Sequence, residues 1–184
     1  DISVNDIIYI SEEMDLVWAY SNKVSGVYEK ALPSKDNVTS IILSGVTYEI
    51  ESSQAFSKLV TGGECALGDT VTLLLGKDKK VADVLTSGAN NITSYGYLTE
   101  TGTKEYTLNT GDSYTSYYAK VTDAMGQELS YKTNKDYKDY VSSVVSVTFS
   151  SDVARISKVN YSDEVYGVFN WESKTLGSLK LAED

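Results

Sequence analysis

The sequence predicts a mainly β protein: two tandem small OB-like (or SH3-like) β-barrels, each with one short helix between its third and fourth strands. Three observations carry this. The same order of elements is written twice, over Gly26–Leu85 and Gly96–Val159. Each copy closes in a β-branched hairpin, and each places a short helical stretch between a Tyr-centred strand and that hairpin. Strand, strand, strand, helix, strand, strand is the connectivity of the OB-fold, a five-stranded Greek-key barrel. A copy of roughly 65 residues is small for a core but suits a tight barrel.

Each copy opens on a glycine followed by large residues, Gly26-Val27-Tyr28 and Gly96-Tyr97-Leu98. Glycine in an opening strand permits the bulge or sharp bend that a small barrel needs. The strands before the helices are Thr47-Tyr48-Glu49-Ile50 and Ser130-Tyr131-Lys132-Thr133. Val46, Tyr48 and Ile50 alternate with polar residues, as on a half-buried strand.

The helical stretches are Ser53-Gln54-Ala55-Phe56-Ser57-Lys58-Leu59 and Asn134-Lys135-Asp136-Tyr137-Lys138-Asp139-Tyr140. Each starts on a residue type that caps helix N-termini. Phe56 and Leu59, and likewise Tyr137 and Tyr140, are three apart and so share a face, as a helix plugging a barrel end requires. The closing hairpins run Gly68–Leu75 into Val81–Val84 around Lys77-Asp78-Lys79, and Ser142–Phe149 into Val153–Ile156 around Ser151-Asp152. Runs of β-branched residues broken by a short polar turn are hairpin signals.

The same template accounts for both ends. Asp6–Ile10 and Leu16–Tyr20, around Glu12-Glu13-Met14-Asp15, resemble a further closing hairpin, and Gly167-Val168-Phe169-Asn170-Trp171 resembles a further opening strand. Three arrangements are open: the two ends complete a third barrel, the chain is one stretch of a longer array, or the ends are edge strands of the two copies. The small, polar segment Thr86-Ser87-Gly88-Ala89-Asn90-Asn91 is the natural linker. The expected division is an N-terminal unit over 1–88 (extra hairpin 1–22, first repeat 23–88) and a C-terminal unit over 89–184 (second repeat 91–163, extra strands 164–184).

Composition narrows function. The formal net charge is −10 and Arg155 is the only arginine. Nucleic-acid binding needs clustered lysine and arginine to displace counterions, so no nucleic-acid partner is expected. The chain contains no histidine, which removes the usual general base and commonest metal ligand. Ser-His-Asp and Cys-His catalysis are thereby excluded as such. Cys65 alone makes neither an internal disulfide nor a zinc site and reads as a small packed side chain. No apolar run is long enough to span a membrane, and no signal-peptide pattern opens the chain, so no membrane insertion is expected. Fifteen tyrosines stand against three phenylalanines, the composition of strands whose faces carry aromatic and hydroxyl groups, as on extracellular β proteins.

Ser44-Gly45-Val46-Thr47-Tyr48-Glu49-Ile50, followed by Gly68-Asp69-Thr70-Val71-Thr72-Leu73-Leu74-Leu75-Gly76-Lys77-Asp78-Lys79-Lys80-Val81-Ala82-Asp83-Val84, resembles a segment of large clostridial-type (Gram-positive) cell-surface proteins that carry S-layer homology domains elsewhere in the chain. The resemblance covers Asp6–Leu85 well and Gly96–Val159 more loosely. It implies an accessory repeat region exposed at the cell surface, and carries over no catalytic residue. No S-layer homology domain lies in this sequence, so wall anchoring is not assigned to it.

Three groups of residues are candidates for chemistry. Tyr95, Tyr97, Tyr106, Tyr114, Tyr117 and Tyr118 crowd the first strands of the second copy. Aromatic faces on such barrels stack on sugars, so Tyr95, Tyr97, Tyr106, Tyr114 and Tyr117 are the candidate ligand-binding residues; the competing reading packs alternate tyrosines inward with hydroxyls at the rim. Tyr117 and Tyr118 point to opposite faces of one strand. Asn109-Thr110-Gly111-Asp112-Ser113, Asp78 and Asp152 are oxygen-rich turn residues of the type calcium takes, without the EF-hand spacing; no cofactor is assigned, and calcium is the one ion weighed. Glu12, Glu13 and Asp15 read as a solvated hairpin tip rather than a glycosidase pair. The expected function is non-catalytic, a structural or spacer module of an extracellular, cell-wall-associated protein. The alternative is a carbohydrate- or protein-binding module. The expected partners are cell-wall or host glycans, other surface proteins and neighbouring repeats of the same chain.

Overall fold

A computed structural model describes residues 2–86, 93–107 and 113–160, together with 167–170, 172–173, 175–176 and 179–180. The protein is mainly β; among the described residues there are one α-helix, a closed five-stranded barrel and three further sheets. The expected linker, apart from Thr86, and the turn 109–112 lie outside the described residues, as does Trp171.

The chain opens with an antiparallel hairpin, β1 (Ile7–Ser11) and β2 (Leu16–Tyr20). The next five strands are β3 (Lys23–Ser34), β4 (Asn37–Leu43), β5 (Val46–Glu49), β6 (Thr70–Leu75) and β7 (Val81–Leu85). They form one sheet in the order β5-β4-β3-β6-β7. Its two outer strands are brought together by a parallel bridge between Ile50 and Val81, with the Glu51 N–H donating to the Val81 carbonyl at 3.0 Å. The turn between β4 and β5 is Ser44-Gly45, both at positive φ, as a two-residue hairpin turn following the strand twist requires.

Between β5 and β6 in the chain comes α1 (Ser53–Leu59). Ser52, one residue before the expected start, is its N-cap; the Ser52 hydroxyl accepts from the Ala55 N–H at 2.9 Å. Leu59 and Ala55 are fully buried and Phe56 packs against the core, so the three-residue spacing does mark the inward face.

The barrel is built from β8 (Ser94–Thr107), β9 (Ser113–Asp123), β10 (Glu128–Thr133), β11 (Ser143–Ser150) and β12 (Val153–Lys158), in the closed order β10-β12-β11-β8-β9. Its closure is the parallel pairing of Thr133 with Ala154. The opening strands of both sheets carry a bulge three residues after their opening glycine, between Tyr28 and Lys30 and between Leu98 and Glu100. An extra residue there bends the strand and increases its twist. At Gly96 a side chain would meet the Thr122 backbone oxygen at 2.5 Å.

The second expected helix is not an α-helix. Residues 134–142 form bends and a single 3-10 turn, Lys138–Tyr140. The first sheet spends residues 50–69 on the same connection, whereas this one is too short for a helix with flanking loops. Tyr137 is buried directly, its ring 5.6 Å from that of Tyr140, so aromatic side chains plug this end instead.

The two sheets share one connected cluster of buried apolar side chains, from Tyr28, Ile41, Tyr48 and Leu73 to Leu98, Leu129, Tyr131 and Val147. Hydrogen bonds cross between them. The Ser130 N–H donates to the Ser44 carbonyl at 2.8 Å, the Tyr48 hydroxyl to Gln127 Oε1 at 2.8 Å, and the Tyr131 hydroxyl to the Ser25 carbonyl at 3.3 Å. Thr70 donates to the Ser151 carbonyl at 2.5 Å and Lys79 to that of Met125 at 3.3 Å. Beyond the barrel, β13 (Phe169–Asn170), β14 (Thr175–Leu176) and β15 (Leu179–Lys180) form a short antiparallel meander.

Candidate functional site

A cleft of about 360 Å³ between β3 of the first sheet and the β8–β9 hairpin gathers aromatic and charged side chains. The hairpin register sets Tyr106 directly opposite Tyr114, and Lys104 opposite Ser116. Residues opposite each other share a face, and Lys132 and Ser130 of β10 extend the same face through their pairing with Tyr118 and Lys120. Tyrosine and lysine alternate with smaller residues, so the pleat collects them on the outside of the barrel, toward Glu29, Leu67 and Gly68.

The Tyr106 and Tyr114 rings are stacked, with centroids 5.8 Å apart and planes at 24°. Lys104 Nζ lies 4.9 Å from the Tyr106 ring centre and donates to Ser130 Oγ at 2.9 Å. Lys132 Nζ lies 5.5 Å from the Tyr114 ring centre, donates to the Tyr114 hydroxyl at 3.0 Å, and pairs with Asp152. Each ring therefore contacts its neighbour and a cation, which is favourable for both partners. The Tyr106 hydroxyl is buried and has no hydrogen-bond partner among the described residues.

The electrostatics follow from this enclosure. Desolvation raises the Glu29 carboxyl above its ordinary range, against the lowering pull of the Gly45 N–H, 3.0 Å away, and of Lys104. Desolvation, with Glu29 beside it, likewise raises the Tyr106 phenol. Burial works against the charge on Lys132, but the hydrogen bonds to Asp152 and Tyr114 outweigh it and hold its ammonium above the usual lysine value. A lysine held protonated is a weak nucleophile. The cleft is thus an interlocked set of tyrosines and compensated charges.

The five candidate tyrosines do not form one site. Tyr106 and Tyr114 meet in the cleft. Tyr95 and Tyr97 lie on the outer face at the other end of β8, 61% and 45% exposed, and two residues along a strand set them about 6.6 Å apart. Tyr97 borders a shallow hollow with Ser143, Lys158 and Asn160, and Tyr95 borders one with Asn22, Asp123 and Met125. Tyr117 stands alone, opposite Thr103 and Thr133 and facing away from Tyr118, which bonds Glu100. Lys104, Lys132 and Glu29 were not among the candidate residues, and Asp152, weighed as an oxygen-rich turn residue, is paired with Lys132. Alternation along β8 could have paired Lys104 with Tyr106, but Glu29 arrives from the other sheet and carries no local signal.

Cys65 is buried, and burial pushes its thiol up to about 11, so its microenvironment opposes thiolate formation. Glu12, Glu13 and Asp15 occupy the exposed tip between β1 and β2. Among the described residues no three His, Cys, Asp or Glu side chains are grouped to hold a metal, and no helix is long and apolar enough to cross a membrane. No family model, curated protein or solved structure matches the chain.

Proposed function

We propose that this chain is a non-catalytic structural module, two copies of one OB-like unit locked into a rigid spacer of an extracellular, cell-wall-associated surface protein. The supporting observation is the junction between the two sheets: one continuous buried cluster and five hydrogen bonds that cross it. Domains that merely follow each other on a string keep separate cores and move independently; here Tyr48, Tyr131 and Ser130 would have to be stripped from their partners before the sheets could separate.

The reading of the two sheets as copies rests on matching connectivity. In each, the first strand pairs with the second and fourth, the fourth with the fifth, and the third meets the fifth in parallel. The bulges fall at the same offset from the opening glycine. The surface setting rests on the resemblance to S-layer-bearing proteins and on the exposed rings of Tyr95, Tyr97 and Tyr117. Calorimetry of the whole chain tests the module: one transition with equal calorimetric and van't Hoff enthalpies is expected. Two resolved transitions would return the sheets to independent domains.

A second reading has its own observation. Tyr95 and Tyr97 present two exposed rings on one face, the arrangement a sugar chain can stack on. A glycan array probed with wild type and with Tyr95→Ala/Tyr97→Ala decides it. Binding lost in the variant would make the module a carbohydrate binder, and an array silent for wild type removes this reading.

A further inference from the structure

We propose that the outer face of the barrel around Tyr97 is a binding site for an acidic glycan, a sugar chain whose carboxylate is met by the Lys158 ammonium. This deepens the second reading above, in which Tyr95 and Tyr97 stack on sugars, and rests on it.

Strand pairing defines the face. Val145 and Val147 of β11 are buried inside the barrel, so Val144, Ser146 and Thr148 stand on its outside. Tyr97 is opposite Val144, and the Val159 N–H donates to the Val144 carbonyl at 3.0 Å. The three therefore form one row across β8, β11 and the residue that follows β12. Tyr95, Ser146 and Ser157 form the next row, and Thr148 with Arg155 the one after. Successive rows lie about 6.6 Å apart.

The first row opens into a hollow of about 350 Å³, within the range of small-ligand sites, about 300–1,000 Å³. The Tyr97 ring and the half-buried Val144 and Val159 give it an apolar lining, which suits the C–H face of a sugar ring. The remaining lining is polar: Ser142, Ser143, Lys158 and Asn160. Ser142 lies at φ 65° with its N–H on the Leu98 carbonyl at 2.8 Å, so this edge of the hollow is held in place. The side chains of Ser143, Lys158 and Asn160 have no partner among the described residues. A hydroxyl, an ammonium and an amide are thus open to a ligand beside one aromatic ring.

Charge selects the class of sugar. The chain carries a formal net charge of −10, yet no acidic side chain is among the described residues that line this hollow. Lys158 is exposed and enters no ion pair among the described residues, and the same holds for Arg155, two rows from Tyr97 on the same face. The cleft beside Glu29 differs, because Lys132 there is paired with Asp152 and Lys104 is bonded to Ser130. Asp123, the one carboxylate bordering the hollow at Tyr95, is turned inward: its Oδ1 accepts from the Met125 and Gln127 N–H groups at 2.9 and 2.8 Å, and its Oδ2 is buried. A carboxylate on the bound sugar completes the Lys158 pair, and Arg155 meets the next charge along the chain.

A glycan array carrying uronic-acid oligosaccharides, their methyl esters and neutral oligosaccharides tests this, with hits remeasured by calorimetry at about 0.05 M and about 0.5 M salt. Wild type is expected to bind uronates in preference to their esters, and more weakly at the higher salt. Lys158→Gln should weaken uronate binding about tenfold or more, the loss of a hydrogen bond between charged groups, and Lys158→Arg, which keeps the charge, should retain most of it. Because Lys158 is exposed and unpaired, both variants should melt with wild type, so a change in binding reports the contact and not the fold. Uronates and esters bound equally, neutral sugars bound alone, or Lys158→Gln binding uronates as wild type does overturns this proposal and leaves the stacking reading in place. An array silent for wild type removes the stacking reading and this proposal with it.

Discussion

The hydrogen bond between Tyr48 and Gln127 gives the sharpest test of the junction, because its two side chains belong to different sheets and both can be removed. Tyr48 is 2% exposed and donates to Gln127 Oε1 at 2.8 Å, a neutral bond near ideal length. Such a bond contributes about 1 kcal/mol net. The two single variants should be unequal. Tyr48→Phe keeps the buried ring and leaves behind a half-buried amide oxygen that water can reach, so it should cost about 1 kcal/mol. Gln127→Ala leaves a buried phenol with nothing to donate to, and that desolvation penalty is about 1–3 kcal/mol. In the double variant the stranded donor is gone, so its cost should fall short of the sum of the singles by about 1 kcal/mol. Urea titration followed by circular dichroism measures all four chains, and the m-value should stay constant if only stability changes. For a chain of this size each kcal/mol moves the melting temperature by about 2–4 °C. Additivity within about 0.3–0.5 kcal/mol, the behaviour of independent sites, would show that the two side chains do not interact and would refute the reasoning.

Three further outcomes follow from the packing and electrostatics. Glu29→Gln preserves the acceptor for the Gly45 N–H while removing a carboxylate, part-exposed at the cleft, whose ionisation desolvation by its neighbours disfavours. Because the folded value is raised, protonation of Glu29 favours the fold at low pH and that contribution is lost as pH rises through it; the variant should melt above wild type at pH 7 and lose the advantage at pH 3, and a gain of equal size at both pH values would contradict this. Burial pushes the Tyr28 phenol up to about 12 and also raises Tyr48, Tyr106 and Tyr131. Their contribution is fully present below the ordinary tyrosine value of about 10 and is lost as pH rises through the raised values, so urea midpoints should hold to about pH 10 and then fall; full tyrosinate absorbance in a chain still folded would contradict it. Gly96→Ala drives a Cβ onto the Thr122 carbonyl, a backbone atom that cannot swing aside, and should cost about 1–3 kcal/mol by thermal melting, with no loss at all counting against the tight approach.

Much of this architecture was legible because pleat and pairing leave local marks. β-branched runs around polar turns located β6–β7 and β11–β12, and the opening glycines marked strands that do bend, through bulges three residues later. Ser53-to-Leu59 spacing located α1, although Ser52 rather than Ser53 caps it. The same spacing misled at Tyr137 and Tyr140, because the number of residues between β10 and β11, not their pattern, denies room for a helix. The tyrosine cluster was visible as composition but not as geometry. Which tyrosines meet depends on the register of the β8–β9 hairpin and on the docking of the first sheet, which places Glu29 beside Tyr106. Nothing near Glu29 in the chain announces that neighbour.

Residual dipolar couplings measured on the whole chain in one alignment medium test the central claim most directly. The account predicts that amides of β3–β7 and of β8–β12 fit a single alignment tensor, as one rigid body must. Two tensors of different magnitude or orientation would mean that the sheets reorient independently, and a rigid spacer would be the wrong description.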